Sequence, residues 1–242
     1  MKQDICKACA AELESSASVG EKNGFSLLRC VACGSITVSP FPSVEELIAF
    51  YQNYKGTVDY RKKADKKIKR AQKRIARLLH YTQGRRFLDV GSNYGFTVRA
   101  ALNLGLDAKG IDIDDTAVNE SRKSYGESLF ETCAVQDYAQ RGEKADIIYT
   151  SEVIEHVPDP DAFVKALADT LDDGGVLYLT TPDAGHWRVP KNFTAWEQVM
   201  PPEHIVYFTR NGLTRLLNKH DLDIKKVTFT LKPNLRIVAQ KG

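Results

Sequence analysis

Four cysteines stand in the first 33 residues as Cys6-Lys-Ala-Cys9 and Cys30-Val-Ala-Cys33. A Cys-x-x-Cys turn lets two thiolates meet one ion at tetrahedral angles. Two such knuckles on facing hairpins close a zinc shell with no site left for water, so the metal would be structural. Two disulfides are the alternative, and nothing directs the chain to an oxidising compartment. A thioredoxin-like redox motif is the other, but it comes singly beside a βαβ pattern. Gly34 follows the last cysteine, where the turn calls for a residue free to take positive φ. The fifth cysteine, Cys133, lies outside the pattern and reads as a small buried apolar residue. A module this short holds few large apolar side chains, so metal binding would supply most of its stability.

A second set of residues is acidic and glycine-rich. Phe87-Leu88-Asp89-Val90 is a short apolar strand running into the turn Gly91-Ser92-Asn93-Tyr94-Gly95. Dinucleotide enzymes place G-x-G-x-x-G in such a turn; here Asn93 stands between the two glycines, and asparagine also tolerates positive φ. Asp89 would repel a pyrophosphate and suits a ligand carrying an ammonium group. Asp112, in Gly110-Ile111-Asp112-Ile113-Asp114, lies twenty-one residues beyond Gly91, the distance at which a carboxylate takes ribose hydroxyls. An amine at one end and a ribose at the other fit S-adenosylmethionine better than NAD. Each acid has a plainer alternative: Asp89 capping a helix at Gly95, Asp112 or Asp114 capping one near Thr116, Asp137 an ordinary turn residue.

Methyl transfer from a sulfonium is an in-line displacement, so positioning and desolvation can carry it. An alcohol acceptor would gain from a base in reach of its proton. The residues of the right type are Glu152, Glu155 and His156, then His186, Glu203 and His204. The segment from His186 to Tyr207 also holds Trp187 and Trp196. Their rings either bury the CH faces of a sugar or other ring, or pin a long loop to the core.

These residues need a frame. From residue 86 on, strands near 87–91, 108–113, 131, 145–150 and 175–180 alternate with helices near 95–104, 115–125 and 160–171. That punctuation predicts a mainly parallel sheet with helices on both faces, an α/β fold that binds ligands at the carboxyl ends of its strands. The tail reads as two strands, Ile224 to Leu231 and Leu235 to Gln240, around the turn Lys232-Pro233-Asn234. Upstream, Ser43 stands three residues before Glu46, a capping box opening a short helix. After a loop around Gly56 a second helix runs from Arg61 to about Tyr81, with Ala64, Ile68, Ala71, Ile75 and Leu78 on one stripe.

Length and composition bound the rest. With 242 residues, 43% hydrophobic and 27% charged, the chain can bury a core and is neither disordered nor disulfide-dense. No apolar run would cross a bilayer and the opening Met1-Lys2-Gln3-Asp4 lacks a signal peptide's apolar region, so the expectation is a soluble, cytoplasmic protein. The net charge of +3 hides a basic block: residues 61–86 carry twelve Lys and Arg against Asp65 alone. That face is either solvated or a footprint for nucleic acid or an anionic carrier. Tyr51, Tyr54 and Tyr60 precede the run, and no aromatics for base stacking lie within it before Tyr81.

The stretches FLDVGSNYG, GIDID, ADIIYTSEVIEHVPDP, GGVLYLTTPD and PPEHIVYFTRNGLTRLL resemble, in order, the motifs of class I S-adenosylmethionine-dependent methyltransferases. The resemblance covers about residues 84–242. It is nearest to small enzymes that carry a four-cysteine zinc module and modify sugars in natural-product or polysaccharide pathways. It implies a Rossmann-like, seven-stranded sheet closed by a C-terminal antiparallel hairpin, and three units: a zinc ribbon at 1–42, a helical connector at 43–83 and the methyltransferase domain at 84–242. By position it assigns Asp89 to the methionine amine, and Gly91, Ser92, Asn93 and Gly95 to the turn under the cofactor. Asp112 goes to the ribose, Ile113 to the adenine ring, and Gln136 and Asp137 to the adenine amino edge. Ser151 and Glu152 stand beside the methyl group, and His156 matches a histidine that in the family more often orders the loop than acts as a base. By residue type Glu152, His156 and His204 are the candidate catalytic residues, and by spacing Cys6, Cys9, Cys30 and Cys33 are the metal ligands. Asn93 departs from the usual middle glycine. A small-molecule acceptor, a sugar or carrier-linked glycan precursor, is the leading expectation. An RNA methyltransferase gripping its substrate through ribbon and basic helix is the second, and a non-catalytic adaptor the third.

Overall fold

The computed structural model describes residues 5–13, 18–53 and 63–242. The chain forms β1 (Ser18–Lys22), β2 (Phe25–Arg29), β3 (Ile36–Ser39), α1 (Val44–Asn53) and α2 (Ala64–Leu78). It continues through β4 (Arg86–Val90), α3 (Phe96–Leu102), β5 (Asp107–Asp112), α4 (Asp115–Tyr125), β6 (Phe130–Thr132) and α5 (Val135–Gln140). Then come β7 (Ala145–Ser151), α6 (Pro160–Thr170), β8 (Leu171–Pro182), β9 (Val206–Tyr207), α7 (Arg210–Asn218), β10 (Leu222–Val227) and β11 (Asn234–Lys241). No helix among the described residues is long and apolar enough to cross a membrane.

Seven strands make the main sheet in the order β10-β11-β8-β7-β4-β5-β6. The five from β8 to β6 run parallel, and β10 and β11 close the edge as an antiparallel hairpin. The Rossmann-like α/β frame expected from the alternating pattern is therefore present. Strands buried on both faces feed two cores. Phe87, Ile147, Tyr149, Val176 and Tyr178 pack with α2, α3 and α4. Leu88, Val90, Ile148, Leu177 and Leu179 face α5, α6 and α7.

The basic helix packs as its pattern required. Ala71, Ile75 and Leu78 are buried and Ile68 partly so, turning the stripe onto α3. The helix ends at Leu78, short of Tyr81, and its expected start at Arg61, the loop around Gly56, Tyr54 and Tyr60 lie outside the described residues. Two of its cations are engaged within the protein: Arg74 donates to the Tyr149 hydroxyl at 3.0 Å, and Lys67 lies over the Phe96 ring. The capping box of α1 is formed reciprocally. The Ser43 N–H reaches Glu46 Oε2 at 2.7 Å and the Glu46 N–H reaches Ser43 Oγ at 3.2 Å.

One expectation is corrected, and one helix was not foreseen. The first strand of the C-terminal hairpin is Leu222–Val227 rather than 224–231. Alternation in Thr228 to Leu231 imitates a strand, but the Thr230 hydroxyl donates to the carbonyls of Lys232 and Asn234 and bends the chain away, leaving Phe229 and Leu231 exposed. Helix α5 sits in a stretch that showed no long apolar period. Its six residues are too few to display one.

The N-terminal sheet has the order β1-β2-β3-β9, so its last strand comes from residues 206–207 of the main domain. The Thr209 hydroxyl donates to the Cys33 carbonyl at 2.7 Å, and the Thr209 N–H donates to Ser35 Oγ at 3.1 Å. The same hydroxyl oxygen accepts from Gly212 at 3.1 Å and so caps α7. Ribbon and main domain share one apolar core. Ile75→Ala, in the other core, should cost about 2–5 kcal/mol of unfolding free energy, read from the midpoint of urea denaturation.

Candidate active site

The sheet's order reverses between β4 and β7: β5 and β6 lie on one side, β8 on the other. Loops leaving the carboxyl ends of β4 and β7 therefore diverge and open a crevice. In the turn after β4, Gly91, Asn93 and Gly95 take φ of 78°, 45° and 72°. A side chain at Gly91 would collide with Val153 of the loop after β7, so the glycine is required by space as well as by conformation. Asn93 takes the left-handed conformation a glycine would have supplied, and the turn survives the replacement. Its N–H donates to Asp112 Oδ2 at 2.7 Å, and the N–H groups of Gly91 and Ser92 both donate to the Ile111 carbonyl, at 2.9 and 3.0 Å. The turn is thus tied across the end of β5.

Asp89 points into the protein and is 3% exposed. Burial, with a smaller push from Asp112, raises its pKa well above the ordinary carboxylate value, against a hydrogen bond from Thr97. Asp112 ends β5. Burial raises its pKa too, opposed by backbone N–H donors from Asp114 and Asn93. The helix-capping role belongs to Asp114, which accepts from Thr116 at 2.9 Å and Ala117 at 3.2 Å. Asp112 instead accepts the N–H groups of Asn93 and Asp114, at 2.7 and 3.0 Å. Ile113 beside it is 74% exposed. The Cys133 N–H donates to the Asp112 carbonyl at 2.9 Å, which sets the start of α5 next to β5. Gln136 is half-buried and Asp137 exposed in the first turn of that helix. Ser151 ends β7, its hydroxyl 2.7 Å from that of Thr180. The buried Ser92 Oγ and Thr150 Oγ1, at the ends of the same strands, have no partner among the described residues.

Residues 60–227, more than two thirds of the chain, match the methyltransferase domain family. The chain belongs to that family. Among curated proteins it is 33% identical over 124 residues to the ubiquinone biosynthesis O-methyltransferase of Bordetella avium, covering 49% of this chain and 50% of that one. It is 34% identical over 104 residues to the protein of the same name from Thiobacillus denitrificans, covering 40% and 44%. The chain thus spans about half the length of the curated relatives it matches. In fold it is similar to the PH0226 protein of Pyrococcus horikoshii, with a TM-score of 0.62 and 13% identity over 80% of this chain and 99% of that one. It is similar also to the magnesium protoporphyrin IX methyltransferase of Synechocystis with bound SAH, at a TM-score of 0.56 and 18% identity over 78% and 90%.

In this methyltransferase domain the residues after β7 divide into an exposed and a buried set. Glu152 reaches solvent with a backbone φ of 58°, a conformation that costs a non-glycine residue roughly 1 kcal/mol and marks functional sites. Its Oε1 accepts from Thr180 and Asn234, both at 2.8 Å. Glu155 is 1% exposed, and burial, then the nearby Glu152, pushes its pKa well up. His156 and His204 meet edge to face with centroids 4.6 Å apart. Burial lowers the pKa of both, and that of His204, lowered further by His156, falls to about 3. Both rings are neutral at physiological pH.

The insert from His186 splits its two tryptophans. Trp196 is buried against Phe193 and pins the loop, whereas Trp187 is 68% exposed and stacks on His186. His186 bonds the Thr230 carbonyl through Nε2 and accepts the Arg188 N–H on Nδ1, so both ring nitrogens are engaged. Thr97, Thr180 and Asn234 were not singled out from sequence. The paired threonines Thr180-Thr181 in an otherwise apolar buried strand were the available signal.

An acid whose folded pKa is raised destabilises the fold only above its unfolded pKa, about 4. From there the penalty grows with pH until the folded pKa is passed. Asp89→Asn should therefore be more stable than the parent at pH 7.5, with the gain shrinking to nothing near pH 4. Urea unfolding at both pH values measures it.

Proposed function

We propose that the chain is an S-adenosylmethionine-dependent O-methyltransferase whose acceptor is a hydroxyl on a small ring. The observation that carries the reading is a buried Asp89 with no cationic partner among the described residues, set across a glycine-rich turn from Asp112 at the sheet's reversal point. A carboxylate held there is costly unless a cation meets it. The ammonium of a methionine moiety is such a cation, and Asp112 keeps acceptor capacity for ribose hydroxyls. Ile113 offers an apolar face to adenine, with Gln136 and Asp137 at its polar edge. Bound S-adenosylmethionine supplies an electrophilic methyl group on sulfur. Ser151 and Glu152 then stand at the methyl end, and Glu152, oriented by Thr180 and Asn234, takes the acceptor's proton.

The relatives' names support oxygen as the methylated atom, and the exposed Trp187 supports a ring, whether sugar or phenol. A carrier-linked sugar remains one member of that class. An RNA acceptor has less support, since Arg74 and Lys67 of the basic helix are turned to intramolecular contacts.

The four cysteines fit a structural zinc ion. Their sulfurs lie within 4.8 Å of one another, and the pairs Cys6–Cys33 and Cys9–Cys30 are 3.6 Å apart. Bonds of about 2.3 Å to a tetrahedral ion imply sulfur separations of about 3.8 Å. The two knuckles are alike: Ala10 and Gly34 take φ of 59° and 77° and donate to the carbonyls of Cys6 and Cys30. A hydrogen bond from Cys6 lowers the Cys33 pKa to about 5, while the same bond and burial raise that of Cys6 and burial raises that of Cys9, so a cation would favour the thiolate forms of those two.

Calorimetry should give saturable S-adenosylmethionine binding displaced by S-adenosylhomocysteine. Asp112→Ala should weaken it about 10- to 100-fold, the loss of hydrogen bonds to a charged group. Absence of binding would sink the reading. Methyl incorporation into phenolic or sugar hydroxyls at low and high salt then separates small acceptors from RNA, whose binding weakens steeply with salt. Chelation should leave cofactor binding in place while raising hydrogen exchange at 204–209 as well as in the ribbon, because β9 belongs to its sheet.

A further inference from the structure

Glu155, His156 and His204 each bring one ligand atom within 4.8 Å of the others, a second cluster far in sequence from the cysteines. The first two come from the single turn Ile154–His156 after β7, and His204 ends the insert just before β9. A backbone bond from the Ile205 N–H to the Glu155 carbonyl, 3.0 Å, holds the two segments in register.

The orientation of the rings matters more than their proximity. Nδ1 of His156 lies 2.8 Å from the Glu203 carbonyl oxygen, and Nδ1 of His204 lies 2.8 Å from that of Gln198. A carbonyl oxygen only accepts, so each Nδ1 carries the hydrogen and each lone pair sits on Nε2. Proteins fix a ligating imidazole by such a backbone contact on its far nitrogen. The third member supplies the charge. Glu155 Oε2 accepts the Thr181 hydroxyl at 3.0 Å, but Oε1 is wholly buried with no partner among the described residues. A buried carboxylate oxygen left without a donor is costly, and hydrogen bonding within the cluster does not relieve it.

We propose that Glu155, His156 and His204 bind one divalent first-row metal ion, distinct from the four-cysteine site. Two imidazoles and a carboxylate suit zinc, and also manganese or iron, and they leave at least one coordination position for another ligand. The ion ties the insert carrying Trp187 to the end of β7, where Glu152 stands. Counting ions rests on the ribbon holding zinc, and cobalt separates the two sites because only the ribbon has thiolates.

Full-length protein, stripped of metal and titrated with cobalt alone, should fill two saturable sites. One shows thiolate-to-cobalt charge transfer, and the other shows only the weaker ligand-field bands of nitrogen and oxygen ligands. Glu155→Gln, which keeps the side chain's shape, and His204→Gln should each lose the second signal and keep the first. Retained second-site binding in either folded variant overturns the assignment. Should both variants fail to fold, the wild-type titration decides alone: saturation at the thiolate signal, with no further ligand-field band, refutes it. Absence of the thiolate signal with the second band intact would refute the ribbon zinc and leave this site standing.

Discussion

The turn after β4 is built around the cost of holding Asp89 in a place where water cannot solvate it. Its carboxyl is buried near Asp112, with a threonine hydroxyl as relief and no cation among the described residues. Such an arrangement persists because the rest of the frame over-determines it: Gly91 and Ser92 donate to Ile111, Asn93 donates to Asp112, and Val153 fills the space a side chain at Gly91 would take. The free energy for this comes from apolar strands packed on both faces. A cation meeting that carboxylate would offset the cost of its burial.

A second constraint joins the ribbon to the catalytic half. One threonine, Thr209, bonds the knuckle carbonyl of Cys33, receives the Gly212 N–H and so caps α7, while Val206 and Tyr207 complete the ribbon's sheet. From the end of β1 Lys22 reaches the Thr194 carbonyl at 3.0 Å, and from the β1–β2 turn Asn23 reaches that of Pro201 at 2.7 Å. The insert bearing Trp187, Trp196 and His204 therefore rests on the ribbon as a foundation. Metal bound at the four cysteines would stiffen the insert as well as the ribbon.

Periodic features were legible before any coordinates. The α2 stripe and the capping box of α1 rest on contacts a few residues apart, and the strand alternation and glycine turn announce themselves by residue type and order, although the strands pair and the turn is tied over much longer separations. Asn93 shows the same: its tolerance of positive φ belongs to the residue type, and its φ of 45° bears this out. The hairpin strand was overextended because Thr228 to Leu231 alternate like a strand, and only the Thr230 side-chain bonds show why pairing stops. Helix α5 is too short for its period to register.

From the chain of letters alone came the cysteine pairs, the acids at the ends of the first two parallel strands and the alternating order that puts both at one sheet edge. Those follow from residue type and spacing, which a sequence carries in full. Which carboxyl caps a helix and which ties down the glycine turn, which tryptophan is buried, and that Glu155 and His156 meet His204 were decided only by tertiary structure. Asp112 and Asp114 are two residues apart and chemically the same, while His156 and His204 are separated by the whole of α6 and β8. Side-chain direction and long-range closure set the solvation of each group, and solvation decides what a carboxyl or an imidazole can do.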